Sequence, residues 1–311
     1  MWRMQRLTVA LLLTLGLCAS LPSAQAPVHL NRMIERLAQG QVAFGVSNED
    51  MSLENARTLA AEDLDWVYID YEHAPMNFET LRMFLVGMID RAHAARTGSV
   101  QPKVTPLARF APYARENAEW AVKQGLDQGL MGAIFNSVET REQALRNVQI
   151  MRFPQRRGSP RMEPLGLRGS GPENALWFWG VPMADYMQRA DLWPLNPAGD
   201  LIALMMIETA EGLKNVDAIA QVPGVGGFYI GPSDLSNSMG VAPNSPETEA
   251  AIQTVLKTCL ARKVACGISA SAADMPRRVK EGFRILGGGG ITGGLSAASD
   301  AAIRAGRAVA K

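Results

Sequence analysis

The sequence predicts a closed TIM-type (β/α)8 barrel, in which eight parallel strands alternate with helices. Two observations predict this fold. Eight short apolar runs alternate with amphipathic helical patterns over nearly the whole chain. The length of 311 residues also suits one such barrel in a single domain. A doubly wound open sheet is the alternative, but no glycine-rich fingerprint follows the first strand, and eight units suit closure better.

The predicted strands are short runs rich in Val, Ile and Leu, as expected for strands that are buried on both faces. They cover residues 42–46, 66–70, 104–109, 131–135, 201–208, 226–230, 264–268 and 283–286. The predicted helices carry apolar residues at three- and four-residue spacing. They cover residues 53–62, 78–92, 114–124, 140–151, 210–221, 248–262 and 272–281.

The amino terminus has the pattern of a secretory signal peptide, which we place at residues 1–26. Arg3 and Arg6 precede an apolar run over residues 7–17, and Ala26 ends a small-residue cleavage site. A membrane anchor is the alternative, but the run is shorter than the roughly 20 residues that a spanning helix needs. We therefore expect an exported, periplasmic protein whose barrel domain covers residues 27–311 and whose mature form has no membrane segment.

Composition excludes some partners. Lys plus Arg (31) nearly equals Asp plus Glu (30), so the chain lacks the basic excess that nucleic-acid binding requires. Cleavage after Ala26 would leave two cysteines, Cys259 and Cys266. They can form one disulfide or remain two small buried side chains, and the sequence alone leaves both readings open.

The alternation of strands and helices is interrupted once, at about residues 152–200. This segment is rich in Pro, Gly, Arg and Trp, and it contains a short helical pattern over residues 183–190. An irregular segment of this length is usually functional or an oligomer contact. Its basic part, residues 155–165, predicts either a site for a polyanionic substrate or solvated surface charge.

Polar residues follow four of the predicted strands, at the barrel end where reacting groups lie in this fold. Taken singly, each could be a helix cap or a surface ion pair. Together they could form one pocket, whose carboxylates suit Mg²⁺ or Mn²⁺. The three histidines are scattered, and no Cys-x-x-Cys pair occurs, so a zinc site is not expected. The four groups are Asp70 with Glu72 and His73, Arg109, Glu208, and Gly231-Pro232-Ser233-Asp234.

Several motifs at these positions resemble those of one known family. They are Asp65-Trp66, Ile69-Asp70, Glu72-His73-Ala74-Pro75, Ile207-Glu208-Thr209, Pro223-Gly224-Val225 and Ile230-Gly231-Pro232-Ser233-Asp234-Leu235-Ser236. With this spacing, the chain resembles the HpcH/HpaI aldolases over about residues 42–295. These are metal-dependent class II pyruvate aldolases, related to the citrate lyase beta and malyl-CoA lyase barrels.

The resemblance implies a carbon–carbon lyase that cleaves or forms a 4-hydroxy-2-oxo acid, giving pyruvate and an aldehyde through a metal-stabilised enolate. It implies that Glu208 and Asp234 bind a divalent metal, Mg²⁺, Mn²⁺ or Co²⁺. It further implies that Arg109 binds the keto oxygen, and that His73 is an acid/base group paired with Asp127. Either His73 or a metal-bound water could be the base.

The resemblance also implies roles for residues around these groups. Asp70 and Glu72 would bind the metal's water molecules, and the segment Gly231-Pro232-Ser233 would contact the substrate. Relatives commonly assemble as trimers or hexamers, so we expect a homo-oligomer.

Some positions depart from the family pattern. Met206 and Asn136 stand where many relatives have Gln and Pro, and the segment 155–165 contains an insertion. An export signal is also unusual for central aldol metabolism. Two alternatives therefore stay open, namely a related lyase for another 2-oxo acid or a thioester, and an exported binding protein that kept the barrel without turnover.

Overall fold

A computed structural model describes residues 29–110 and 119–310 of the chain. The predicted signal peptide, residues 1–26, and the beginning of the predicted helix 114–124 lie outside the described residues. Within the described ranges, no helix is both long enough and apolar enough to cross a membrane.

The strands form one parallel sheet that closes on itself. The pairing follows the order β4-β3-β2-β1-β9-β8-β7-β6-β5, and an additional β4–β6 pairing closes eight of the strands into a barrel. The two-residue β5 lies outside the closed ring, beside β6. All eight predicted strands are present, so the predicted fold class is confirmed. The strands are β1 Ala43–Asn48, β2 Trp66–Asp70, β3 Thr105–Phe110, β4 Gly132–Phe135, β5 Leu192–Trp193, β6 Leu201–Ile207, β7 Gly227–Ile230, β8 Ala265–Ser269 and β9 Ile285–Ile291.

Helices surround the barrel and fill the connections between its strands. The described helices are α1 Arg32–Ala38, α2 Leu53–Ala61, α3 Phe78–Gly87, α4 Arg91–Thr97, α5 Glu119–Gln128, α6 Arg141–Met151, α7 Glu173–Trp179, α8 Met183–Arg189, α9 Ala210–Lys214, α10 Val216–Ala220, α11 Pro232–Met239, α12 Pro246–Arg262, α13 Met275–Glu281 and α14 Ala297–Arg307.

Two predicted helices are each divided in the structure. The predicted helix 78–92 ends at Gly87, and a new helix begins after Asp90, whose carboxylate accepts a hydrogen bond from the backbone N–H of His93. The predicted helix 210–221 is interrupted at Asn215, which ends α9 and precedes α10. The apolar periodicity continues across both breaks, so it did not reveal these local caps.

Alternate residues of each strand face opposite sides of the barrel wall. In β6, Ile202, Leu204 and Met206 belong to the apolar cluster inside the barrel. Their neighbours Leu201 and Ala203 belong to the larger core between the sheet and the helices. The period of two therefore assigns each strand position to the interior or to the outer core.

Helix α1 closes the amino-terminal end of the barrel. Its residues Met33 and Ile34 pack into the interior cluster. The side chain of Asn31 caps the helix, and the buried Asp200 accepts hydrogen bonds from the backbone N–H groups of Leu30 and Asn31. The interior is thus sealed at the end opposite to the predicted site.

A disulfide joins Cys259 and Cys266. Cys259 lies in α12 and Cys266 in β8, and both are buried. The bond therefore links the long helix to the strand that follows it, which decides between the two readings that the sequence left open.

The irregular segment before β6 contains α7, α8 and β5, and the predicted helix over residues 183–190 corresponds to α8. The buried guanidinium of Arg152 organises this segment. Its Nε lies 2.7 Å from Asp191 Oδ1, and its Nη2 donates to the carbonyl of Arg161 at 3.1 Å.

Candidate active site

The period of two continues past the ends of the strands and directs polar side chains toward the barrel axis. Leu107 of β3 lies in the interior cluster, so Arg109 follows it on the same face. In β6, Met206 is interior, and Glu208 follows two residues later. These side chains meet because all strands are parallel and end on one side of the barrel.

Arg109 is held firmly by two acidic side chains. Its Nε donates to Asp70 Oδ1 at 3.0 Å, and its Nη2 pairs with Asp70 Oδ2. Its Nη1 lies 2.8 Å from Glu72 Oε2, and the guanidinium carbon lies 5.5 Å from the centre of the Tyr68 ring. Burial disfavours the cation, but the hydrogen bonds that Arg109 donates to Asp70 and the nearby negative charges raise the pKa of Arg109 above its usual value. The site therefore keeps a fixed positive charge.

The turn after β2 brings His73 near this ion pair. Asp70 Oδ1 accepts the backbone N–H of Glu72 at 3.0 Å and that of His73 at 3.4 Å. His73 Nε2 lies 3.4 Å from Glu72 Oε2, the oxygen that also faces Arg109. The His73 side chain is 59% exposed, so the imidazole stands at the solvent side of the cluster.

Glu208 is a buried carboxylate, only 3% exposed. Its Oε1 accepts hydrogen bonds from the backbone N–H of Ser137 at 2.7 Å and from the Ser137 hydroxyl at 2.9 Å. Burial raises the pKa of Glu208, and the negative charges of Glu72 and Asp234 raise it further, whereas the Ser137 bonds oppose this rise.

Ser137 orients Glu208 from a backbone conformation that few residues adopt. Its φ is 47°, in the left-handed region that is uncommon for residues other than glycine. In this conformation both the N–H and the hydroxyl of Ser137 reach the same carboxylate oxygen. Strained residues of this kind concentrate at functional sites.

The first turn of α11 lies beside Glu208. Gly231 precedes the helix, and Pro232 is its first residue, which suits a position that needs no N–H donor inside the helix. A Cβ at Gly231 would lie 2.7 Å from Glu208 Oε2, so any larger residue here would displace the Glu208 carboxylate. Asp234 in the same turn is exposed, and Ser233 precedes it.

The carboxylates of this site suit a hard divalent cation. Glu208 has neighbouring negative charges at Glu72 and Asp234 that raise its pKa, and a cation between them would relieve this repulsion. Among the described residues, however, no group of three or more His, Cys, Asp or Glu side chains has a geometry that could hold a metal. A metal here would therefore need oxygen ligands from substrate and water in addition to Glu208 and Asp234.

Within the described residues of one chain, Asp127 does not lie beside His73, so its predicted pairing with His73 stays a prediction. Asp127 lies in the last turn of α5, which leads to the amino end of β4, at the opposite end of the barrel from Glu208. Its carboxylate pairs with Lys123 and lies 2.8 Å from Arg168 Nη2. Asp127 is thus part of a buried link to the irregular segment.

The predicted residues Asp70 and Glu72 are both found beside Arg109, as its direct ion-pair partners. Sequence reasoning missed Ser137 and Tyr68, and it treated Asn136 only as a departure from the family pattern. Their signal was available in the alternation, because Tyr68 is an interior position of β2 and Asn136-Ser137 directly follow β4. Polar residues directly after an apolar strand indicate a site at this end of the barrel, and this pattern after β4 was overlooked.

Known proteins resemble this chain along most of its length. The family model described as HpcH/HpaI aldolase/citrate lyase matches residues 44–298. The 2-keto-3-deoxy-L-rhamnonate aldolase of Escherichia coli (strain K12) is 30% identical over 251 residues, which is 80% of this chain and 82% of that protein. The protein of the same name from Salmonella paratyphi B is 31% identical over 240 residues, 77% of this chain and 78% of that protein.

Solved structures share the same architecture. The crystal structure of an HpcH/HpaI aldolase/citrate lyase family protein from Burkholderia cenocepacia J2315 superposes with a TM-score of 0.68 at 29% identity. That comparison covers 89% of this chain and 97% of the other.

Proposed function

We propose that this chain, which belongs to the HpcH/HpaI aldolase/citrate lyase family and is a carbon–carbon lyase, acts on a 4-hydroxy-2-oxo acid. The products would be pyruvate and an aldehyde, and the reverse reaction would join them. The observation that carries this proposal is the convergence of the fixed cation Arg109 and the buried carboxylate Glu208 at one end of the barrel.

Cleavage of the bond between C3 and C4 leaves an electron pair that is delocalised onto the C2 oxygen as an enolate. A charge developing at that oxygen is stabilised by a donor that is already in place and need not reorganise. Arg109 fits this requirement because Asp70 and Glu72 hold its guanidinium before substrate arrives.

The substrate carboxylate suits the first turn of α11. The first backbone N–H groups of a helix have no partner inside it, and they favour a negative group. Gly231 lets this turn approach Glu208 closely, so a carboxylate bound beside Ser233 would place the neighbouring oxo group near Arg109 and Glu208.

Proton transfer can be performed by His73. Cleavage requires removal of the 4-hydroxyl proton, and the reverse reaction requires a proton from the pyruvate methyl group. An imidazole exchanges protons readily near neutral pH. Glu72 orients His73 through Nε2 and at the same time contacts Arg109, so the proton carrier lies beside the charge-stabilising group.

A divalent metal, when bound by Glu208 and Asp234, would supply Lewis-acid stabilisation of the same enolate oxygen. The fit of this donor set rests on the buried carboxylate of Glu208 and on the negative charges of Glu72 and Asp234, which raise its pKa. Mg²⁺, Mn²⁺ and Co²⁺ are the candidates.

The substrate class follows from the named relatives. A 2-keto-3-deoxy sugar acid has the 2-oxo acid and the 4-hydroxyl group that this chemistry needs. We therefore propose that 2-keto-3-deoxy sugar acids of this kind are among the substrates of this chain, supported by 30% identity to the rhamnonate aldolase.

The test is pyruvate release from a panel of 4-hydroxy-2-oxo acids, with Mg²⁺, Mn²⁺ or Co²⁺ and again with chelator. We expect release that depends on metal and is lost in Glu208→Ala by at least about a thousandfold. Asp217→Ala is the matched control, because Asp217 is an exposed carboxylate paired with Arg262 on the surface. Full activity of metal-stripped Glu208→Ala protein would overturn the assignment of Glu208.

A further inference from the structure

Asn136 carries a buried amide that has no partner in the protein. Its side chain is 0% exposed, yet neither Nδ2 nor Oδ1 makes a hydrogen bond. Among the described residues, it is the one Asn or Gln side chain with both polar atoms in this condition. Buried polar groups are nearly always paired, because each unpaired one costs its full desolvation free energy.

Other buried asparagines of the chain have structural partners. Asn31 donates from Nδ2 to the carbonyl oxygens of Met131 and Asp200, both at 3.0 Å. Asn48 accepts from Asn55 at 2.8 Å and donates to the carbonyl oxygen of Asp50 at 2.8 Å. These amides stabilise the fold, whereas no such contact explains the amide of Asn136.

Asn136 lies on the barrel face that leads to the candidate site. Ile134 of β4 belongs to the interior cluster, and Asn136 follows it two positions later. The register of β4 against β6 pairs Phe135 with Met205, and the backbone N–H of Val138 donates to the carbonyl oxygen of Met206. Asn136 is therefore level with Met206, two residues before Glu208.

The neighbouring residue connects Asn136 directly to the site. Ser137 holds Glu208 through its backbone N–H and its hydroxyl. Glu208 is only 3% exposed and Asn136 is fully buried, so both side chains are shielded from solvent at this end of the barrel. Ser137, which directly follows Asn136 and binds Glu208, connects the two.

We propose that Asn136 is a substrate-binding residue whose amide hydrogen bonds with an oxygen of the bound 2-oxo acid. The inference rests on the proposed function, since it assumes that such an acid binds beside Glu208. A neutral amide can donate a hydrogen bond to an oxygen there without adding a charge to the site. The unpaired amide then destabilises the ligand-free protein, and ligand binding removes this destabilisation by supplying a hydrogen-bond partner.

The test combines two readouts on the variant Asn136→Leu, which keeps the branched shape of the side chain and removes the polar atoms. We expect the Tm of the ligand-free, metal-free protein to rise, because an unpaired buried amide is lost. We expect the Kd for oxalate, an analogue of the pyruvate enolate, to increase about tenfold or more in Mn²⁺-loaded protein, measured by calorimetry.

Two further variants separate binding from folding. Asn48→Leu is the matched control, because it removes a buried amide that has partners; its Tm should fall while its oxalate affinity stays at the wild-type value. The double variant Asn136→Leu/Met206→Gln returns an amide to the same level of the adjacent strand, and we expect it to recover part of the lost affinity.

The outcomes distinguish this inference from the proposed function. If wild-type protein binds oxalate, and Asn136→Leu binds it equally well, the inference is wrong while the proposed function stands. A lower Tm of Asn136→Leu with unchanged oxalate affinity would likewise assign the amide a structural role. If folded, Mn²⁺-loaded wild-type protein binds neither oxalate nor pyruvate, the proposed function fails and this inference fails with it.

Discussion

Arg109 and Glu208 lie at the same end of the barrel, but their surroundings act on them in opposite ways. Arg109 has two acidic partners that favour its charge, so its pKa is raised despite burial. Glu208 instead accepts hydrogen bonds from Ser137, and its own burial and two acidic neighbours disfavour its charge. Arg109 can therefore stabilise an anion, whereas a bound cation would stabilise the ionised form of Glu208.

The geometry of Arg109 leads to a prediction for Arg109→Lys. Lysine keeps the positive charge but cannot contact Asp70 through two nitrogens while also facing Glu72. We expect kcat for pyruvate release to fall about a hundredfold or more, with the Kd for Mn²⁺ changed by less than about threefold. Steady-state kinetics and metal titration measure the two effects. A loss of metal affinity as large as the loss of kcat would show that Arg109 acts on the metal ligands instead.

The raised pKa of Glu208 leads to a prediction about stability. Because the folded-state pKa lies above the usual value of 4.5, the ionised carboxylate destabilises the metal-free fold at neutral pH. This cost is absent below about pH 4.5, where the unfolded chain also binds the proton. Glu208→Gln should therefore raise the Tm of metal-free protein at pH 7 to 8, and the difference from wild type should shrink as the pH falls toward 4.5. A Tm difference that is independent of pH would contradict the assigned cause.

The polar residues at the ends of the predicted strands indicated which side chains lie near one another, but not which hydrogen bonds and ion pairs they form. Glu208, Arg109, Asp70 and Glu72 lie where the sequence placed them. The pairing of Asp127 with His73 was implied by the resemblance. Within this chain, the Asp127 carboxylate forms ion pairs with Lys123 and Arg168. Arg168 belongs to the irregular segment, so no local pattern around Asp127 could predict the contact.

Among the elements, the strands were easier to predict than the helix boundaries. A strand buried on both faces is apolar along most of its length, so its sequence pattern does not depend on any single side chain. The breaks at Asp90 and Asn215 depend on single side chains that cap or end a turn. Helix α1 was not predicted, because its apolar residues Met33 and Ile34 fill the end of a barrel that forms from distant strands.

The amino end of the barrel is stabilised by an acidic residue that joins three elements. Asp65 is fully buried. Its Oδ1 accepts from Arg32 Nε at 3.0 Å and from Arg36 Nε at 3.2 Å, and its Oδ2 accepts the backbone N–H of Phe44 at 2.9 Å and Arg307 Nη2 at 3.3 Å. The cluster ties α1, β1 and α14 together at the end opposite to the site.

Asp65→Ala should therefore affect stability and leave chemistry unchanged. Removal of one partner from a buried ion cluster costs about 3 to 5 kcal/mol, which denaturant unfolding measures. The kcat at a temperature where the variant is folded should match wild type within about twofold. Asp63→Ala is the control, because Asp63 is exposed and should change the free energy of unfolding by less than about 0.5 kcal/mol. Equal effects of the two substitutions would contradict the account of this cluster.

For the whole molecule, closure of the sheet explains why residues far apart in sequence share one site. The order of strands places β2, β3, β4, β6 and β7 next to one another around the barrel. This arrangement followed from the count of eight strand–helix units. The segment before β6 could not be predicted in the same way, because its conformation depends on buried arginines whose partners lie far along the chain, such as Arg168 with Asp127.

The central claim is that this end of the barrel binds a divalent metal and a 2-oxo acid between Glu208, Asp234 and Arg109. Its most direct test is anomalous diffraction from crystals of the protein soaked with Mn²⁺ and oxalate. The account predicts an anomalous peak within bonding distance of Glu208 and Asp234, with oxalate bound to the same ion and facing Arg109. An ordered Mn²⁺ peak elsewhere, with Glu208 and Asp234 bound only to protein atoms, would contradict it.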